Sequence, residues 1–159
     1  TSSWRAPASR LIDDQRIMTK VLFCHNTPDR LQASVAWLWQ NRPESAVVYV
    51  TDLEIARRLD QMLWTTPATG FLAHCRADSP LANETPLLIA DQLEQLPHQD
   101  LLLNLCNDLP PNFSRFAHLI EIVSTDDHVR LPARDRVKFY RDRGYDIEFH
   151  DLGKEPLPL

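Results

Sequence analysis

The densest chemistry in the sequence is a run of cations near its end. Between Arg130 and Arg143 stand Arg130, Arg134, Arg136, Lys138, Arg141 and Arg143, with Asp135 and Asp142 the acids among them. The segment is +4 in a chain of net charge −5, which leaves −9 on the remainder. In a helix Arg130, Arg134, Lys138 and Arg141 follow at steps of four, four and three and share one stripe, while Ala133, Val137 and Tyr140 fall on an adjoining apolar face. A cationic stripe beside an apolar groove can take an acidic segment that carries a hydrophobic anchor. The same residues also suit a solvated helix face whose cations favour the helix C-terminus, and charge alone does not decide between the two.

Acids make a second group. Asp52, Asp91, Asp108, Asp126 and Asp127 follow predicted strands, and ligands of open α/β sheets bind beyond the carboxyl ends of strands. Converging there, Asp52, Asp91 and Asp126 would hold Mg²⁺ for phosphoester chemistry. Such a metal-dependent phosphoesterase is the alternative reading of this chain. The plainer reading is that each acid caps a helix or closes a turn, and no Asp-x-Asp pair occurs. Cys24-His25 and His74-Cys75 are neighbours on strands and point to opposite faces, so neither pair chelates a metal as it stands. A third group is Trp64, Pro67 and Phe71, at the end of a helix and in the segment after it. It reads either as core or as an exposed anchor for a partner. No catalytic, metal or cofactor signature is found.

The elements that must position these groups alternate. Apolar runs at Lys20–His25, Ala46–Val50, Phe71–His74, Leu87–Ala90, Leu101–Leu105, Leu119–Val123 and Asp146–His150 predict strands. Helices are predicted after Thr27-Pro28-Asp29, after a Thr51/Glu54 capping box, and from about Leu131 to Arg143 with Gly144 at the C-cap. Near-continuous apolar strands interleaved with helices predict a layered α/β domain with a mostly parallel sheet.

Composition bounds the rest. The 159 residues are 43% apolar and 25% charged, which fits one globular domain. The only glycines are Gly70, Gly144 and Gly153, so neither a dinucleotide fingerprint nor a Walker loop can be drawn. Three cysteines without CxxC spacing predict free thiols and a reducing, cytoplasmic setting. No apolar run of about 18 residues predicts a membrane span. Residues 1–17 are patternless and read as an N-terminal extension or an appended remnant, with one domain over residues 18–159.

At the basic run and the Trp64 block the chain resembles the chi subunit of bacterial DNA polymerase III, a clamp-loader accessory protein. The residues that carry the likeness are Arg58-Leu59-Asp60-Gln61-Met62-Leu63-Trp64 with Pro67 and Phe71, then the Leu119–Val123 strand, Ala133 to Arg141, and Gly144-Tyr145. It covers most of residues 18–150 and is weakest over 78–99. The resemblance implies a three-layer α/β/α fold, Rossmann-like but without a phosphate-binding loop, and a non-catalytic subunit without cofactor. It implies two partners: the psi subunit, and through it the clamp loader, at Trp64, Pro67 and Phe71; and the acidic, Phe-ended C-terminal tail of single-stranded DNA-binding protein at Val123, Arg130, Arg134 and Lys138. Contact with DNA would be mostly indirect. Val137 stands where the family often has Tyr, so Val137, Tyr140 and Arg141 complete the expected tail site, with Tyr140 as the substitute apolar wall.

Overall fold

The computed structural model describes residues 18–65 and 72–154. The expectations placed on residues 1–17, on Pro67 and on Phe71 lie outside the described residues. In chain order the elements are β1 (Lys20–Thr27), α1 (Arg30–Asn41), β2 (Ala46–Tyr49), α2 (Leu53–Thr65), β3 (His74–Arg76), β4 (Leu87–Ala90), β5 (Leu101–Asn104), β6 (His118–Ser124), α3 (Asp127–Asp142) and β7 (Ile147–Asp151), with single 3₁₀ turns at Ala82–Glu84 and Phe113–Arg115.

The strands form one sheet in the order β3-β4-β2-β5-β6-β1-β7, and every neighbouring pair among them is parallel. Side chains of a strand alternate between faces, and here both faces are covered. Leu22, Val48, Ile89, Leu103 and Ile120 pack under α1 and α2 with Val35, Leu38 and Leu59. Val47, Leu88, Leu102 and Leu119 pack on the other side with Phe113, Phe116 and Tyr140 of α3. The result is the expected three-layer α/β/α arrangement, and its central strands are apolar on both faces because neither face meets water.

Several local expectations are corrected. The N-cap of α1 is Asp29, whose carboxylate accepts from the Gln32 N–H, and Thr27 belongs to β1. At α2 the cap is Asp52, which accepts from the N–H groups of Glu54 and Ile55, in place of the Thr51/Glu54 box. Helix α3 starts at Asp127 rather than near Leu131, capped by Asp126 through the His128 N–H, and carries Pro132 inside it. Proline is disfavoured inside helices, yet the helix begins at the Asp126 cap and runs through Pro132. The third strand lies at His74–Arg76, and Leu72 and Ala73 of the expected Phe71–His74 run stand before it.

Strand β1 runs into α1 through an irregular step and a half-buried arginine. Strand β1 ends in an irregular His25–Asn26 step, with Asn26 at φ +69°. Just beyond it, the Arg30 guanidinium donates to the carbonyls of Ile122 (2.7 Å), Cys106 (2.9 Å) and Asn104 (3.2 Å) and to the Asn107 side chain (3.0 Å). Arg30 thereby satisfies carbonyls at the carboxyl ends of β5 and β6. Burial, partly offset by Glu121, lowers its pKa to about 10.

Candidate functional site

The middle of the basic helix is tied to the sheet by one buried charge pair. Glu121 stands in β6, fully buried, facing α3. Its two oxygens accept from Arg136 Nε and Nη2, both at 2.9 Å, and Oε2 also accepts from the Tyr140 hydroxyl at 2.6 Å. Asn104 Nδ2 approaches both oxygens at 3.3 Å, and Arg136 further donates to the Asn107 carbonyl. Burial would push the Arg136 guanidinium down, but the Glu121 carboxylate outweighs it and holds the group more strongly protonated than usual.

Two expectations change here. Arg136 is not part of any external charge, because Glu121 neutralises it internally. Tyr140 is 0% exposed and cannot wall a surface pocket. It packs instead against Phe113, at 5.4 Å between ring centroids, in a cluster with Phe139 and Tyr145. Glu121 is not among the expected site residues, although a lone acid inside the Leu119–Val123 apolar run is a signal that a buried cation must meet it.

With Arg136 and Tyr140 turned to the sheet, the opposite side of α3 carries Arg130, Arg134, Lys138 and Arg141. Arg130 pairs with Asp127 one turn back. Arg134 is exposed and has no ion pair among the described residues. Arg130 and Arg134 lean over an open cleft of about 450 Å³ between the first half of α3 and the carboxyl ends of β1, β6 and β7. Val123 lines it from β6. Three of the expected residues therefore share one cavity. Val137 does not line it; it packs against the Phe23–Val123–Ala133 cluster. Lys138 and Arg141 are exposed and continue the basic row along the helix, outside the cleft.

The far wall comes from Phe23, His25 and Asn26 of β1 and Phe149 and Asp151 of β7; of these only His25 is singled out in the sequence, and there as a neighbour of Cys24. In the β1–β7 register Phe23 lies opposite Phe149 and His25 opposite Asp151, so these side chains share one face of the sheet. A carboxylate in a cationic cleft needs a reason. Asp151 Oδ1 accepts from Asn26 Nδ2 and from the Gly153 N–H, both at 2.9 Å, closing the turn after β7. The Asn26 bond, followed by the Gly153 bond and the nearby His25, holds the Asp151 carboxyl below the usual carboxylate range. Chemically the cleft offers a cationic edge over an apolar floor.

The remaining candidates lie elsewhere. Trp64 ends α2, 58% exposed, with its ring 4.9 Å from that of His74. His74 is buried; its Nδ1 meets the Leu72 carbonyl at 2.8 Å, and its Nε2 lies 3.1 Å from Asp60 without hydrogen-bond geometry. Asp52 and Asp126 are spent as helix caps, and no three His, Cys, Asp or Glu side chains converge to hold a metal among the described residues. No described helix is long and apolar enough to cross a membrane.

Comparison with known proteins bears on this geometry. The family model described as DNA polymerase III chi subunit, HolC, matches residues 18–148. A Pseudomonas aeruginosa protein named DNA polymerase III subunit chi is 36% identical over 110 residues, covering 66% of this chain and 74% of that protein. Its namesake from Escherichia coli is 30% identical over 97 residues, 60% of this chain and 66% of the relative. One from Haemophilus influenzae is 28% identical over 99 residues, 62% and 69% respectively.

Proposed function

The chain belongs to the DNA polymerase III chi subunit family, and from that premise we propose that it is a bridge, joining the clamp loader, through a psi subunit, to the acidic C-terminal tail of single-stranded DNA-binding protein. It is an accessory subunit in DNA replication, not the catalytic one. Its contact with DNA is then mostly indirect, through the coating protein. The observation that carries the tail assignment is the placement of Arg130, Arg134 and Val123 around one cleft. A terminal carboxylate pairs with Arg134 through charge-assisted hydrogen bonds. The acidic residues before it run along Lys138 and Arg141, and their charge speeds the encounter. The apolar floor takes the final side chain and supplies most of the affinity. An interface this small binds weakly, with Kd on the order of micromolar, and loses affinity as salt screens the rim.

The psi contact is placed on Trp64, with Pro67 and Phe71 its proposed companions. A half-exposed Trp held against a buried His is an aromatic anchor of the kind that dominates protein interfaces. Trp64→Ala should abolish co-purification with psi and leave tail binding intact.

Titration of an acidic, Phe-ended peptide against the protein and its Arg134→Ala variant tests the tail site. The variant should bind at least about tenfold more weakly, the scale of a lost charge-assisted pair. Equal affinity removes Arg134 from the site.

A further inference from the structure

We propose that His74 is the positioning residue of the Trp64 anchor: its buried imidazole, seated against Asp60 and Trp64 at the end of α2, holds the indole in the orientation that a protein partner meets. The inference rests on the reading of Trp64 as the psi contact, and it names the side chain that prepares that contact.

Three observations carry it. First, Asp60 and Trp64 stand four residues apart on α2, so their side chains share one face of the helix. The His74 ring reaches both. Its Nε2 lies 3.1 Å from the Asp60 carboxylate, and its centroid is 4.9 Å from that of the indole, with the planes 56° apart. That separation is within the range of favourable aromatic pairs. Second, the imidazole is itself fixed. Its side chain is 0% exposed, against 46% for Asp60. A carbonyl only accepts, so the 2.8 Å contact with Leu72 puts a proton on Nδ1 and sets the plane of the ring. The backbone is held as well, because His74 lies opposite the fully buried Leu87 in the register of β3 on β4. Third, Nε2 is buried without a hydrogen-bond partner. An apolar side chain of similar volume would fill the place and leave no polar atom unpaired, so packing alone does not account for a histidine there. The Leu72 bond orients the ring, and the oriented ring carries the exposed indole.

The benefit is one of preorganisation. A tryptophan that turns freely about its side-chain bonds loses that freedom when a partner closes on it, and binding weakens accordingly. An indole already seated on a fixed ring has less to lose. The partner is a protein surface that offers the indole an apolar pocket.

The test uses the full chain and purified psi. The indole N–H resonance of Trp64, identified by its loss in Trp64→Ala, reports the order of the ring through ¹⁵N relaxation. In the wild type its order parameter should be that of rigid backbone, about 0.85, and in His74→Asn it should fall below about 0.6. Asparagine keeps a donor for the Leu72 carbonyl and removes the ring. His74→Asn should also bind psi about five- to tenfold more weakly by calorimetry. The wild-type measurement needs no change at His74, so the test holds even if His74→Asn melts early. A mobile indole in the wild type overturns the role of His74. So does a His74→Asn variant that keeps either the wild-type order or the wild-type affinity, while Trp64→Ala still fails to bind psi. Wild-type affinity in Trp64→Ala overturns the reading of Trp64 as the psi contact.

Discussion

Glu121 explains more of the site than any residue on its surface. A carboxylate at 0% exposure is costly to desolvate, and it persists because Arg136 meets it in a two-point fork and Tyr140 adds a third donor. The partners come four residues apart on α3, one turn, so the pair sets the helix's rotation about its own axis. With Arg136 and Tyr140 directed at the sheet, Arg130 and Arg134 are left facing the cleft. The two contacts differ in what their loss does. Tyr140→Phe removes one donor and should cost about 1–3 kcal/mol. Arg136→Met leaves a buried charge uncompensated and should cost about 3–5 kcal/mol. Urea unfolding of both variants checks the order. A larger loss for Tyr140→Phe would mean that Arg136 is not the principal counterion.

At the scale of elements, α3 shows how caps outweigh interior propensity. Asp126 takes the His128 N–H, Asp127 adds a charge favoured in the first turn, and the helix proceeds through Pro132. At the other end the chain turns at Gly144, whose φ of +84° lets the Tyr145 N–H reach the Tyr140 carbonyl. A Cβ there meets nothing within 4 Å, so the requirement for glycine is backbone strain alone. Gly144→Ala should lower stability by about 1 kcal/mol without altering peptide affinity, because the turn lies at the far end of α3 from the cleft. A matched pair of denaturant curves and peptide titrations separates those effects.

Over the whole molecule, buried protons govern the response to alkali. Burial, then the nearby Glu148, raises the Cys24 thiol from 9.0 to about 12. Burial, then Glu121, also holds the Tyr140 hydroxyl far above its ordinary 10.0. Each group keeps its proton longer folded than unfolded, so the stability it contributes is whole below its ordinary value and is lost as pH rises toward the folded value. For Cys24 that window runs from about pH 9 to about 12, and Tyr140 adds to it from about pH 10, each at up to about 1.4 kcal/mol per pH unit. The thermal midpoint should fall steadily above pH 9. Cys24→Ala should delay the onset toward pH 10, since only Tyr140 of the two remains. An unchanged profile would mean that the thiol ionises equally in both states.

The sequence by itself determined the alternation of strands and helices, the parallel layered class, the absence of a glycine phosphate loop and the row Arg130, Arg134, Lys138, Arg141. All of these depend on periodicity or residue identity within one segment, which local physics encodes. Tertiary structure alone decided which cations stay outside. Arg136 looks like its neighbours in the sequence, yet it is neutralised by a residue 15 positions away on another strand. The cleft's second wall belongs to the same kind of fact. Phe23 and Phe149 are 126 residues apart and face each other only because β7 returns beside β1 in that register. Contacts of such separation are set by the global packing of the sheet, and no local pattern in either strand records its partner.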